Sequence, residues 1–571
     1  MHLKSFFFLL VAGISFNNIL YAQDLSSVKS AKPFTFHGSL GAGANFYSSN
    51  QPFQSQDPFS WNVYGSFTPT TYGVSLPFSF VVTQYSKSYT SPFTQFGISP
   101  SYRWIKLHLG YRSISYSPFV FDGQSFLGAG IELTPGKFYF SSFYGRLNKA
   151  ITEDTTFEKN RMPQYARTGY GFKIGYGNTK QNLSVQFLHA KDDTTSIQRI
   201  KDSLTTILPQ ENTVLGSSWH FLFFKKLTFT GDVAVSLLNR DMSYQRIDTI
   251  GYVKVPTFTQ KIQPINYSSV LSYSGQSMLT LVLRNLNVSA GYRRIEPDFV
   301  SLGVPYMLND VEMLTGNIAT TFFKGRLSVN AMANSQHNNL ERMLASELQT
   351  KTGNVGINAF VSNHVNLNLN FMGVSVYQKD GLLQIPDSIR MNQLMWNATL
   401  SPVFTFSNQR HQQTVSASFN YTDLNDKNPT TSSQSSTQSI AASLNYSLFF
   451  NKGFWGINST EMYSEYKQLN NTYQSVGMNG GIMLQLLKQH NLSIQGTAGY
   501  FLNKSMSGTV GNNTTFSFNT SYSQKKNSFG IYLSYILTPP VNLNPLNVVY
   551  HVPIAVNSRN FTGGINYGFH F

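Results

Sequence analysis

Cysteine is absent from the 571 residues. That excludes disulfides, thiolate metal sites, a cysteine nucleophile and a lipidated N-terminal cysteine. Charge is scarce: Asp, Glu, Lys and Arg make up 12% of the chain, about half the usual globular share. Carboxylates are scarcer than cations, 26 against 42, which leaves a formal net charge of +16. The basic residues stand singly and in pairs, mostly at turn positions, with no cluster of five. Nucleic acid is therefore not an expected partner. Long apolar runs are missing too: after the N-terminus none reaches the ~18 residues of a membrane-crossing helix. No G-x-S-x-G, H-E-x-x-H or P-loop sequence occurs, and the histidines are dispersed. The expectation is no enzyme, no cofactor and no metal site.

What the chain has in quantity is aromatic residues, 15% of the total, with a slightly negative mean hydropathy. Alternating strands, apolar on one face and polar on the other, reconcile those two facts. "VNLNLNF" from Val365 sends Val365, Leu367, Leu369 and Phe371 one way and three asparagines the other. A period of two is the signature of a strand. "TVSASFNY" from Thr414 and "FGIYLSY" from Phe529 repeat it. The apolar face persists over about ten residues per strand, the length of a tilted membrane strand.

The connections fall into two alternating classes. Tight turns are expected near Pro69, Arg103, Pro135, Asn178, Lys225, Asn285, Lys324, Asn363, Asn408, Asn451, Lys488 and Lys525. Longer polar loops are expected at 147–164, 190–212, 238–266, 335–352, 376–392, 422–437 and 538–559. Twelve tight turns join strands in pairs and leave one strand over at each end, about 26 in all. An even number puts both termini on the short-turn side. The expected fold is all-β: a large transmembrane antiparallel β-barrel of about 26 strands, with short periplasmic turns, long extracellular loops and no plug domain. Backbone polarity in lipid forces such a sheet to close.

The N-terminal "MHLKSFFFLLVAGISFNNILYAQ" reads as a secretory signal peptide over 1–22. Residues 23–33 form a short periplasmic segment, and 34–571 the barrel. At the other end "NFTGGINYGFHF" alternates and stops on an aromatic residue. Tyr567, Phe569 and Phe571 resemble the C-terminal assembly signal of Gram-negative outer-membrane proteins. "YRWIKLHLGYR" and "GAGIELTPGKFYF" resemble uncharacterised outer-membrane proteins of Bacteroidetes type. The resemblance implies residence in the cell outer membrane, surrounded by its lipid and inserted by the barrel-assembly machinery. It implies no particular activity.

Such a barrel is roughly 50 Å across if round, wider than a diffusion porin needs. The expected function is a channel or translocation pore for polar solutes or a larger exported substrate. A periplasmic or lipoprotein partner would supply accessory parts. The alternative is a non-conducting structural or surface-interaction barrel whose outer loops bind partners. Alternation turns Lys106, His108, Arg112, Glu132, Lys173, His220, Asp232 and Arg293 towards the lumen, and Lys106 is expected to pair with Glu132. Their mildly cationic sum predicts a preference for anions. Asp154, Asp193, Asp202, Asp248 and Asp387 each precede Ser or Thr in predicted outer loops. They resemble short O-glycan acceptor sequences.

Overall fold

The computed structural model describes residues 33–571 apart from 51–55, 73, 85–95, 153–162, 198–206, 251–252, 255–259, 451–453, 470, 488–490, 506–507 and 539–557. The expected signal peptide and nearly all of the segment 23–33 lie outside the described residues, as do the turns at Asn451 and Lys488. The wall has 26 strands. Two are interrupted at a proline: β3 runs Val74–Ser75 and Phe78–Thr83 around Pro77, and β4 runs Phe96–Ile98 and Ser101–Tyr102 around Pro100. Proline has no N–H to give a ladder, so the pairing breaks there.

Before them come β1 (Phe34–Ser49) and β2 (Phe59–Thr71). After them come β5 (Ile105–Ser113), β6 (Ser125–Leu133), β7 (Phe138–Asn148), β8 (Ala166–Gly177) and β9 (Gln181–Asp193). Next are β10 (Glu211–Phe223), β11 (Leu227–Asn239), β12 (Ser269–Val282), β13 (Leu286–Ile295) and β14 (Val311–Phe322). Then β15 (Leu327–His337), β16 (Ser346–Phe360), β17 (Val365–Asp380), β18 (Asn392–Ser407), β19 (His411–Asp426) and β20 (Thr437–Phe450) follow. The last six are β21 (Trp455–Gln468), β22 (Asn471–Leu486), β23 (Leu492–Ser505), β24 (Gly508–Gln524), β25 (Asn527–Thr538) and β26 (Ser558–His570). Each pairs antiparallel with its chain neighbours, and β1 pairs with β26 from Ser39↔His570 to Ser49↔Asn560, which closes the barrel.

The register can be followed round the whole circuit. One face carries Leu107, Leu183, Val233, Leu279, Ile318, Leu369, Leu444, Ile482, Leu533 and Ile565, all largely exposed. An exposed apolar belt on a closed sheet has a favourable environment only in lipid. The protein is thus an outer-membrane β-barrel. Beside the turns stand exposed Phe223, Phe322, Phe404 and Trp455, at the depth of the interface.

The tight turns adopt left-handed backbone at Arg103, Phe224, Lys225, Phe323, Lys324 and Lys525. Two consecutive residues at positive φ, as at Phe224–Lys225, match the twist of the strands they join. On the outer side, strands are longer than the ten-residue reading and shorten several loops. The connection after β15 is 338–345 rather than 335–352, and that after β19 is 427–436 rather than 422–437.

Candidate functional site: a lumen with two unlike walls

Two outer connections turn inwards. Residues 114–124, between β5 and β6, carry Tyr116, Phe119, Val120 and Phe121. Residues 296–310, between β13 and β14, carry Phe299 and Leu302. These side chains are buried together with Phe126, Phe143, Leu188, Val214 and Ile295 from the inner faces of β6–β13. The result is a hydrophobic core inside the barrel, against one side of it. Asp122 N donates to the Gly303 carbonyl (3.1 Å) and Ser301 Oγ to the Val120 carbonyl (2.7 Å), so the two connections hold each other. The wall holds them as well: Asn212 accepts from Leu302 N (3.0 Å) and Ser236 Oγ donates to the Val300 carbonyl (2.6 Å).

Inward glycines make the docking possible. A Cβ on Gly171 would lie 3.0 Å from the Tyr116 ring and 3.1 Å from that of Phe143; one on Gly216 would lie 2.5 Å from Val120. "GYGFKIGYG", read from sequence as suited to a curved wall, places Gly169, Gly171 and Gly175 inwards. At Gly171 that bareness serves a docked connection.

The register brings all eight charged or histidine positions expected in the lumen onto the inner faces of β5–β13. They separate into local groups. Lys106 Nζ lies 3.1 Å from Glu132 Oε1, and His108 Nε2 lies 2.5 Å from the same oxygen. Ser99 Oγ is 3.2 Å from His108 Nδ1. Arg112 bonds Ser79 Oγ (2.9 Å) and the Gly97 carbonyl, tying β5 to β3 and β4. Lys173 Nζ donates to the Tyr116 carbonyl at 2.7 Å, beneath the docked connection. Asp232 accepts from Ser218 (2.6 Å) and Gln276 (2.9 Å). Arg293 sits 5.6 Å from the Phe119 ring centre. His220 faces Asn182 and Thr230 across its strand pairs and joins none of these groups.

The wall from β14 round to β26 differs. Its inward positions are mainly Asn, Ser, Thr, Gln, Gly and Met, with aromatic residues, His570 and aliphatic residues such as Val374, Val376 and Ile536 among them. The inward acids there are Asp380 and Asp426, at the outer ends of β17 and β19. Amides and hydroxyls bond one another along this wall. Asn354 donates to Asn370 (3.2 Å), Asn397 to Thr422 (2.7 Å), Asn420 to Thr399 (2.8 Å) and Thr460 to Asn445 (2.8 Å). Exposure separates the two walls clearly. Ser141, Ser184, Gln186, Asn212, Ser236, Ser272 and Ser274 are buried on β7–β12. Among the described residues, no inward Asn, Ser, Thr or Gln on β15–β26 is buried.

At the closing seam Phe571 exchanges backbone bonds with Gly38 (3.1 and 3.2 Å) and its ring centre lies 4.6 Å from that of Phe36. The Phe569 ring lies tilted against that of Phe571, centres 5.7 Å apart, and Tyr567 donates to Asn527 (2.7 Å). Of the acceptor-like sites, Asp154 and Asp202 lie outside the described residues. Asp193 accepts from the Thr195 backbone and hydroxyl in a turn, Asp248 precedes a two-residue strand, and Asp387 accepts from Arg390 (3.1 Å).

The sequence signal that was missed lies in the connections. "SPFVF" at 117–121 and "DFVSLGVPYML" at 298–308 are apolar where other outer loops are polar. That contrast marks the segments with a core to join.

No family model and no curated protein matches the chain. Among solved structures, the P pilus usher translocation pore aligns with 93% of this chain and 98% of its own, at 11% identity and TM-score 0.35. The copper transporter OprC aligns with 95% and 81%, at 8% identity and TM-score 0.38. Pseudomonas aeruginosa OccK3 aligns with 64% and 94%, at 14% identity and TM-score 0.31.

Proposed function

We propose that the protein is a channel of the outer membrane, with a route for polar solutes running along the β15–β26 side of the lumen. One observation carries this reading: among the described residues no inward Asn, Ser, Thr or Gln of that wall is buried, while many of those beneath the two docked connections are. The connections narrow the bore from one side. A packed, non-conducting scaffold would bury polar groups all the way round.

The same division revises the expected anion preference. Lys173 and Arg293 lie under the docked connections, and Lys106 and Glu132 offset each other. The open wall has little charge with which to sort ions. The test is conductance of the purified, folded protein in a planar lipid bilayer under a salt gradient. Large steady steps with a reversal potential near zero are expected. Silence from folded protein would overturn the channel reading and leave the surface-interaction barrel.

A further inference from the structure

The neutral wall contains one built recess. It spans β23–β26, β1 and β2, has a volume of about 600 Å³, and is lined on the lumen side by Tyr64, Gln495, Asn519, Tyr532, Asn566 and His570. Gly530 and Gly568 line it directly, and its two tyrosine rings pack over further inward glycines. A Cβ on Gly41 would strike the Tyr64 ring at 2.3 Å, and one on Gly564 would strike the Tyr532 ring at 2.4 Å. Both rings therefore lie flat along the wall, each over the glycine opposite it in the register. Tyr532 is further fixed by donating to Asn45 Oδ1 (3.0 Å). Flat packing covers one face of each ring and leaves the other to the lumen: Tyr64 is 42% exposed and Tyr532 38%. Between the two rings run Gly43, Asn566 and Gly530, with Asn566 lying over Gly530.

We propose that this recess binds an uncharged saccharide. Two exposed aromatic faces, fixed in place, offer apolar contact to the C–H faces of sugar rings. The surrounding amides and hydroxyls both donate and accept, as sugar hydroxyls do. No carboxylate, Lys or Arg side chain lines the recess, so a charged sugar would give up water there with no counter-charge to replace it. A few convergent polar groups beside apolar surface is the usual make-up of a small-molecule site. Preformed rings also lose little freedom on binding. The inference deepens the channel reading by naming a solute class, and it rests on that reading for its route though not for its test.

The test is isothermal titration calorimetry of the folded full chain in detergent with maltohexaose, a neutral glucose oligomer. Hexagalacturonate serves as its charged counterpart. Maltohexaose is expected to bind and hexagalacturonate to bind at least tenfold more weakly. Tyr64→Ala and Tyr532→Ala should each weaken maltohexaose binding about tenfold, while Tyr64→Phe and Tyr532→Phe, which keep the ring face, should retain it. Should the alanine variants fail to fold, Gly568→Val fills the recess from its lining and spares both rings; an added Cβ there meets the Ser528 side chain at 2.6 Å. It should abolish binding. No heat with maltohexaose, equal binding of the charged oligomer, or binding unchanged in the folded alanine or valine variants would overturn the proposal. Sugar binding by a protein silent in bilayers would overturn the channel reading alone. Steady conductance without sugar binding would overturn this one alone.

Discussion

Glu461 shows how a single residue can run against its surroundings. The register puts it outwards on β21, between Leu444 and Met478, with Ser459 Oγ at 3.0 Å as its recorded partner. A carboxylate facing hydrocarbon is costly, though less so than a lysine there. Glu461→Leu is expected to stabilise the barrel by about 1–2 kcal/mol, read from the urea midpoint of reversible unfolding in lipid. Glu132 is the opposite case, a carboxylate whose surroundings need it. Its removal leaves Lys106 and His108 facing each other without their acceptor. Glu132→Ala should therefore cost more than Lys106→Ala, and the double variant less than the sum, with a coupling of about 1 kcal/mol. Lys106 is half exposed, and solvent screening keeps the figure small. That pair was legible in advance because alternation and turn position fix which residues face each other across a hairpin. The flat tyrosines were not. Nothing local in "NVYGSF" or "GIYLSY" says that Tyr64 and Tyr532 cross to a neighbouring strand and lie over Gly41 and Gly564.

At the scale of elements, two glycines provide a matched comparison. Gly171 faces inwards, where a side chain would meet Tyr116 and Phe143; Gly353 faces outwards with nothing within 4 Å of an added Cβ. Gly171→Leu should undock residues 114–124, seen as new protease cleavage there and a larger single-channel conductance. Gly353→Leu adds an apolar group to a lipid-facing surface and should change neither. Strand existence, strand count and turn positions were readable because the period of two is local. The outer strand ends were misjudged at 335–352 and 422–437, where polar residues such as Gln349, Thr350 and Asp423 read as loop. Above the lipid a strand has no apolar face, and the signal vanishes while the ladder continues. Inward folding of two connections was harder still. It depends on glycines contributed by strands tens of residues away, which no single segment contains.

For the whole molecule, 26 strands define a bore that two of the chain's own connections narrow from one side. Charge is sorted with that division: most of the inward ions lie on the side that is packed, and the inward acids of the open side, Asp380 and Asp426, stand at its outer rim. Removing residues 116–121 should therefore raise conductance and also make the pore more ion-selective, because it uncovers Lys173 and Arg293. Reversal potentials of the two forms in the same salt gradient check this, and an unchanged potential would count against the sorting.

The closing seam has a further consequence. Arg559 N bonds Asn50 Oδ1 across 509 residues of chain, and the ladder beside it joins β1 to β26. Until β26 is in place, β1 and β25 each present an open row of backbone donors and acceptors, which hydrocarbon cannot satisfy. A growing wall therefore has two sticky edges for almost the whole of its construction. Insertion has to be chaperoned edge by edge or completed in one concerted event. A ribosome that stalls short of residue 558 leaves a sheet with no home in either water or lipid, a natural target for proteolysis.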